Sequence, residues 1–334
     1  MIVSSDTIKM NFDKPPYHIT GKVLTLLTWV SEKIGEVNAI QLNRPPAELR
    51  KSNRIKTIQS SLAIEGNTLT EEQITALLDN KRILAPQKDI LEVQNAIEVY
   101  SNLHTYKPYQ IKSLLTAHKT LMKGLVHEAG KMRAGNVGII KGSKVTHVAP
   151  SGNMVNGLIA NLLQYVKSDT DPLLIKSCVF HYEFEFIHPF IDGNGRMGRL
   201  WQTVLLMKDY PLFEYLPIES VIKADQGNYY EALNVSDNEG HCTSFLIFML
   251  QSMLRALNSL LAISNISPDQ ERRIAVFKEV IGVRSFTRKT YLEYFKTIST
   301  STASRDLKFG TEKGLLIKSG DKRFTVYSFK NKQL

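Results

Sequence analysis

His188-Pro189-Phe190-Ile191-Asp192-Gly193-Asn194-Gly195-Arg196-Met197-Gly198-Arg199 joins two apolar helical patterns, 172–187 before it and 194–209 after it. Gly193, Asn194 and Gly195 form a turn at the start of the second pattern. Such a turn presents backbone N–H groups at a helix start, where the dipole also favours an anion. Arg196 and Arg199 are three residues apart and share the first turn and one face of that helix. Two guanidiniums beside a helix N-terminus suit a polyphosphate, because their forked donors match phosphate oxygens. Asp192 stands just ahead of this anion hole. A carboxylate there makes sense when a cation lies between it and the phosphates, and Mg²⁺ bridges one or two carboxylates and phosphates in this way. His188 is the base of the segment near neutral pH. A base, a metal ligand, an anion hole and two phosphate-binding arginines are the parts that phosphoryl or nucleotidyl transfer needs.

Blander explanations fit less well. Gly193-Asn194-Gly195-Arg196-Met197-Gly198 matches GxGxxG literally. A dinucleotide fold would need a β-strand before it and an acidic residue about 20 positions on. His188-Pro189 precedes it instead, and Asp209 and Glu214 come too early. His181, Glu185 and His188 share a helical face but lack the HExxH spacing of a zinc site, so a structural or hydrogen-bonded histidine is expected. A lone His188 would be read as a helix-end residue without chemistry; Asp192, Asn194, Arg196 and Arg199 in one segment count against that.

Outward from this segment the chain is mainly α. Upstream, helical patterns run from Lys22 to Val37, Ala47 to Ile64, Val93 to Asn102 and Ile111 to Met122. Gly66-Asn67 stops the second of these. Thr70 opens a further helix as N-cap, with Gln73 in the capping-box position. Residues 131–152 break the helical rhythm, and Val137–Ile140 and Lys144–Val148 fit a hairpin turning at Lys141-Gly142-Ser143. Downstream, helices are expected at 153–167, about 225–235 and 241–263, followed by a linker at 265–268. The end reads as helices from about Asp269, at 288–296 and at 302–313, then Leu315–Lys318, a Ser319-Gly320-Asp321 turn and Arg323–Tyr327. Helix, helix, helix, hairpin is the order of a winged helix-turn-helix.

The bulk numbers limit the possibilities. A hydrophobic share of 43% and a charged share of 22% are ordinary for a globular protein. No uninterrupted apolar run reaches the roughly 18 residues of a membrane helix, and the N-terminus lacks the pattern of a secretory signal. Cys178 and Cys242 lie in apolar stretches and read as buried thiols, which points to the cytoplasm. Of the net charge of +10, residues 284–334 carry +8, twelve Lys or Arg against four Asp or Glu. Such an end suits a polyanion, or is simply a solvated face.

The 188–199 segment resembles the signature of the Fic (filamentation induced by cAMP) family, His-Pro-Phe-x-Asp/Glu-Gly-Asn-Gly-Arg-x-x-Arg, at every fixed position. The likeness extends to His181-Tyr182-Glu183-Phe184 and to Tyr229-Tyr230-Glu231-Ala232-Leu233. It implies a helical core with a hairpin flap that moves AMP from ATP, with Mg²⁺, to a Ser, Thr or Tyr hydroxyl of a target protein. On that resemblance His188 is the base and Asp192 holds Mg²⁺. Gly193, Asn194 and Gly195 cradle phosphates, Arg196 meets the β-phosphate region and Arg199 the γ-phosphate. Tyr229 or Tyr230 lines the adenosine pocket, with Asn238 a further candidate, and the hairpin near 139–148 aligns the target by strand addition.

Ser61-Leu62-Ala63-Ile64-Glu65-Gly66 resembles the family's inhibitory motif. Ser61 and Glu65, at i and i+4, share a helical face, and Gly66 ends the helix. A carboxylate on Arg199 would occupy the arginine that the γ-phosphate needs. The implied organisation is a helical region with the inhibitory motif (1–100), a Fic core (101–264) and a winged helix (265–334). Alternatives on the same site are removal of AMP, transfer of another phosphate-containing group, or a DNA-binding regulator whose core senses nucleotide. Thr302, Ser304, Arg305, Lys308, Lys318, Lys322 and Arg323 are the residues that would meet DNA or a partner protein. A homo-oligomer is compatible with this organisation, and no membrane partner is expected.

Overall fold

The computed structural model describes residues 13–39, 45–141, 144–265, 270–282, 284–295, 298–321 and 325–330. In chain order its elements are α1 (Gly21–Ala39), α2 (Ala47–Ile64), α3 (Glu71–Leu78), α4 (Gln87–Ser101), α5 (Ile111–Leu121), β1 (Gly138–Lys141) and β2 (Lys144–Val148). Next come α6 (Val155–Ser168), α7 (Leu173–Ile187), α8 (Asn194–Leu206), α9 (Ile218–Ala224), α10 (Gln226–Glu239) and α11 (Thr243–Asn265). The last are α12 (Gln270–Ile281), α13 (Arg288–Tyr294), α14 (Thr300–Glu312), β3 (Leu316–Ser319) and β4 (Val326–Phe329). Two compact units divide at Ser259 and Leu260. The N-terminal segment and α1 to α4 belong largely to the first unit, together with the core that follows them.

α7 and α8 form the centre of the first unit. α7 is apolar on almost every face and buries Leu173 to Tyr182 without interruption, as expected of a helix in the middle of a core. α6 packs against α7, and α5 against both α6 and α8. The segment before α1 is tied down by reciprocal bonds between the Asp13 backbone and Asn161 (both 2.8 Å) and by Tyr165 and Tyr17 hydroxyls 3.2 Å apart.

β1 and β2 pair antiparallel, with Gly138 opposite Val148 and Lys141 opposite Lys144, and a bulge between Ile139 and Ile140. This is the expected hairpin; Gly142 and Ser143 of its turn lie outside the described residues. Thr70 caps α3 in a full capping box with Gln73. Several boundaries differ from expectation, and one helix is new. α4 starts six residues before Val93, because its polar first turn, Gln87-Lys88-Asp89, carries no apolar rhythm. α14 starts at Thr300, since Ser299 is its N-cap and accepts from the Thr302 N–H. α9 was not expected, being one short helix behind Pro217.

α11 corrects the membrane argument. Its stretch Thr243–Ala262 is long and apolar enough to cross a bilayer, although polar residues interrupt every apolar run. Phe245, Leu246, Met249, Leu250, Met253 and Leu257 are fully buried, so it serves as a core helix.

In the second unit three helices precede an antiparallel hairpin, Leu316 opposite Phe329 and Ser319 opposite Val326, in the order expected of a winged helix. Phe286 makes an isolated antiparallel bridge to Tyr327 beside this hairpin. Ile274, Phe277, Phe286, Tyr291, Ala303, Leu307, Leu316 and Phe329 make its core. A side chain at Gly310 would collide with Ile274 and Leu316, so α14 packs here only without one. Lys322 and Arg323 lie outside the described residues.

Candidate active site

α7 ends on His188 in a left-handed conformation, φ 50° and ψ 61°. A non-glycine residue held there costs on the order of 1–3 kcal/mol, so its surroundings must fix it. The His188 N–H donates to the Phe184 carbonyl at 3.0 Å, and the Arg133 Nε donates to the His188 carbonyl at 2.7 Å. Nδ1 lies 3.4 Å from the Glu185 carbonyl, a long contact. A carbonyl can only accept, so Nδ1 carries the hydrogen and Nε2 becomes the proton-accepting nitrogen.

The loop after His188 is closed by its own polar groups. Phe190 N–H donates to Asn194 Oδ1, and Asn194 Nδ2 donates to the Phe190 carbonyl, both at 2.9 Å. The Asn194 side chain is therefore a buried loop closer, and only its backbone is left to face a phosphate. Phe190 stacks flat on His118, with ring centroids 3.6 Å apart. His118 Nδ1 accepts from Gly130 N–H at 2.8 Å, which leaves Nε2–H to donate to the Asp192 carbonyl at 3.0 Å. Burial pushes this imidazole down to about 4, so it is neutral at physiological pH. Gly193 has φ 84°, and a Cβ there would run into Met122. The Asp192 carboxylate is 52% exposed, and its Oδ1 accepts from Gly193 N–H at 2.6 Å and Arg196 Nη2 at 3.1 Å.

The two arginines share the start of α8 but turn to different helices. Arg196 donates to Glu92 Oε1 on α4 at 3.2 Å, and Glu92 Oε2 accepts from Asn67 at 2.8 Å. Arg199 reaches α2: Nε to Ser61 Oγ at 3.2 Å, Nη2 to the Ser61 carbonyl at 3.0 Å and to Glu65 Oε1 at 2.7 Å. Arg196 Nε and Arg199 Nη1 are buried with no hydrogen-bond partner among the described residues. Burial works against the Arg199 charge, but Glu65 and its other oxygen neighbours outweigh it and hold its pKa raised. A Cβ on Gly195 would collide with Glu65 Oε1, so the Glu65 carboxylate lies against the first turn of α8. An anion therefore already stands where the turn and dipole favour one.

Local chain geometry puts Glu65 there. Gly66 N–H bonds to the Ala63 carbonyl and Asn67 N–H to the Leu62 carbonyl, a Schellman ending that makes Glu65 the C-cap. Gly66 has φ 94°, which requires glycine. Side chains add to this cap: Lys223 Nζ also donates to the Ala63 carbonyl at 2.9 Å, and Gln226 Nε2 donates to the Ile64 carbonyl at 3.0 Å. Asn53 donates to the Tyr215 carbonyl, and Ser60 meets Ser220 at 3.1 Å.

Residues 108–206 match the Fic/DOC family. A solved Fic family protein from Desulfovibrio desulfuricans G20 is 37% identical, with a TM-score of 0.74 and coverage of 96% of this chain and 100% of that one. The chain belongs to the Fic family. Fic-1 from C. elegans (aa134–508) shares the fold at 20% identity and TM-score 0.61, covering 73% of each chain. Protein adenylyltransferase Fic of Nematostella vectensis is 28% identical over 266 residues, 74% of this chain and 59% of that protein. Curated adenylyltransferase relatives are spanned over roughly a third to three fifths of their length.

Beyond the Fic signature, the aromatic candidates separate. Tyr229 is 1% exposed and has its hydroxyl 3.2 Å from His181 Nε2. His181 Nδ1 in turn donates to Gln202 Oε1 at 2.9 Å. Tyr229 is thus core, and its spacing alone could not show this. Tyr230 is 36% exposed, with Gln226 Nε2 3.4 Å from its hydroxyl and the Tyr229 ring 5.3 Å away. Asn238 is exposed and donates to the Asn234 carbonyl of its own helix at 2.9 Å. Glu92, His118 and Arg133 escaped the sequence analysis. A charged or imidazole group on an otherwise apolar helix face was the available signal for the first two.

Proposed function

We propose that this chain transfers AMP from ATP to a hydroxyl of a target protein and that Glu65 restrains it. The observation that supports this is the buried Arg199 at the first turn of α8, engaged by the Glu65 carboxylate. The target oxygen attacks the α-phosphate, its proton passes to His188 Nε2, and the bond to the β-phosphate breaks to release pyrophosphate. A general base of this kind contributes about 10²–10⁴-fold. Asp192, half exposed beside the α8 start, would hold Mg²⁺, which neutralises phosphate charge when bound. No cluster of three His, Cys, Asp or Glu stands among the described residues, which suits a cation taking its other oxygens from phosphates and water. Tyr230 would line the adenosine side, and β1–β2 would receive the target segment as an added strand. The free buried thiols of Cys178 and Cys242 suit a reducing compartment such as the cytoplasm.

The test incubates lysate proteins with α-labelled ATP, Mg²⁺ and the Glu65→Gly form, with His188→Ala in the same background as blank. Label in the first and none in the second is expected, with the added mass of AMP on the product. Equal labelling by both would remove His188 from the reaction.

The second unit offers Arg305 and Lys308 exposed on α14. We assign it contact with a polyanion such as DNA. A gel shift over a salt series checks this, since phosphate contacts weaken steeply with salt.

A further inference from the structure

We infer that Arg133 is a positioning residue that locks the backbone of His188 to both roots of the flap hairpin; its catalytic consequence rests on the proposed transfer reaction. Arg133 is 2% exposed and spends its guanidinium on four backbone carbonyls. Nε donates to His188 at 2.7 Å, Nη1 to Gly135 at 2.7 Å, and Nη2 to Pro150 at 2.6 Å and Ile187 at 3.0 Å. Its own N–H donates to the Pro189 carbonyl at 2.9 Å.

Each acceptor has a structural meaning. The Ile187 and His188 carbonyls are the end of α7, where no further turn supplies N–H donors and a cation is favoured by the dipole. Gly135 precedes β1 and Pro150 follows β2, so one rigid planar group holds both ends of the hairpin. The roots also cross closely. Gly152 N–H donates to Asn136 Oδ1 at 3.1 Å, and a Cβ on Gly152 would collide with the Ala134 carbonyl. The left-handed His188 backbone aims its carbonyl at this guanidinium. A target strand laid on the hairpin is thereby referenced to the imidazole through a single side chain. Lysine cannot replace it, since an ammonium on a flexible stem cannot satisfy four carbonyls in a fixed fork.

The experiment compares Arg133→Lys and Arg133→Ala with the Glu65→Gly parent. It measures AMP transfer to lysate proteins, labelled-ATP affinity by equilibrium dialysis, and amide hydrogen exchange. In a folded Arg133→Lys protein, transfer should fall about 100-fold, the usual cost of a small misplacement, with ATP affinity unchanged. Exchange should rise together in 138–148 and 187–190 and stay constant in α6 and α11. Methylguanidinium should restore transfer to Arg133→Ala and not to His188→Ala. Full transfer by Arg133→Lys, or transfer and ATP affinity falling in step, overturns the assignment. A parent without transfer defeats the proposed reaction instead, and the exchange data then decide the locking alone: unchanged exchange at either segment refutes it.

Discussion

Each unit of the molecule buries an arginine against a carboxylate, and the two pairs are built differently. In the second unit, Arg273 grips Asp306 with two bonds, Nε to Oδ2 and Nη2 to Oδ1, both 2.6 Å. Tyr291 adds a third bond to Oδ2 at 3.2 Å, and Asp306 is fully buried. In the first unit, Arg199 holds Glu65 through one oxygen, and the carboxylate is 33% exposed on a helix cap. The Asp306 pair is saturated on a core helix, whereas the Glu65 pair leaves Arg199 Nη1 with no hydrogen-bond partner among the described residues. The same chemistry is thus fully enclosed in one place and partly open to solvent in the other.

The largest effect should come from breaking the saturated pair. Asp306→Ala takes its carboxylate away from the buried Arg273 charge, and urea or thermal unfolding should show a loss of about 3–5 kcal/mol. A change within experimental error would mean that the second pair is no more structural than the first. Glu65→Gly should act on rate instead, raising AMP transfer about 100-fold by freeing Arg199 for a phosphate. Equal rates in wild type and variant would make the two pairs alike in purpose.

A third variant probes what lies behind Arg199. Burial pushes the Glu219 carboxyl up to about 7 from 4.5, against the opposing pull of Arg199. Below about pH 4.5 it is neutral in folded and unfolded chains alike. Between 4.5 and about 7 only the unfolded chain ionises, so stability falls as pH rises and stays lowered above that window. Glu219→Gln should therefore match wild type in acid and exceed it above about pH 7, by on the order of 1–3 kcal/mol. A constant offset at all pH values would exclude this origin. The smallest effect belongs to Gln226→Ala, which uncaps Ile64 next to Glu65 at a cost of about 0.5–1.5 kcal/mol. It should raise wild-type transfer a few-fold and leave the Glu65→Gly protein unaltered; an equal rise in both would place Gln226 outside the restraint.

What could be read from sequence follows from how each residue's job is fixed. The His188–Arg199 segment and the Ser61–Gly66 turn are short and local, and their chemistry demands particular residue types. Helix bounds were legible where apolar rhythm reached the helix end, and failed at Gln87 and Thr300 where the first turn is polar. Glu92 and Arg196 meet across 104 residues, so no local pattern announces the pair. Arg133 is silent for a different reason: its partners are backbone carbonyls, which every residue has. Tyr229 and Tyr230 look equivalent in sequence, and only the packing of Phe245 and Phe248 around the former separates them.

The place beside Gly195 is held by one carboxylate, that of Glu65. On the proposed reaction, an incoming triphosphate would compete there with a tethered ligand whose local concentration never dilutes. That local concentration depends on how firmly α2 is docked, far from the reacting atoms. If that reading holds, substitutions at Asn53, Ser60 or Lys223 would tune the resting output over a graded range without touching His188.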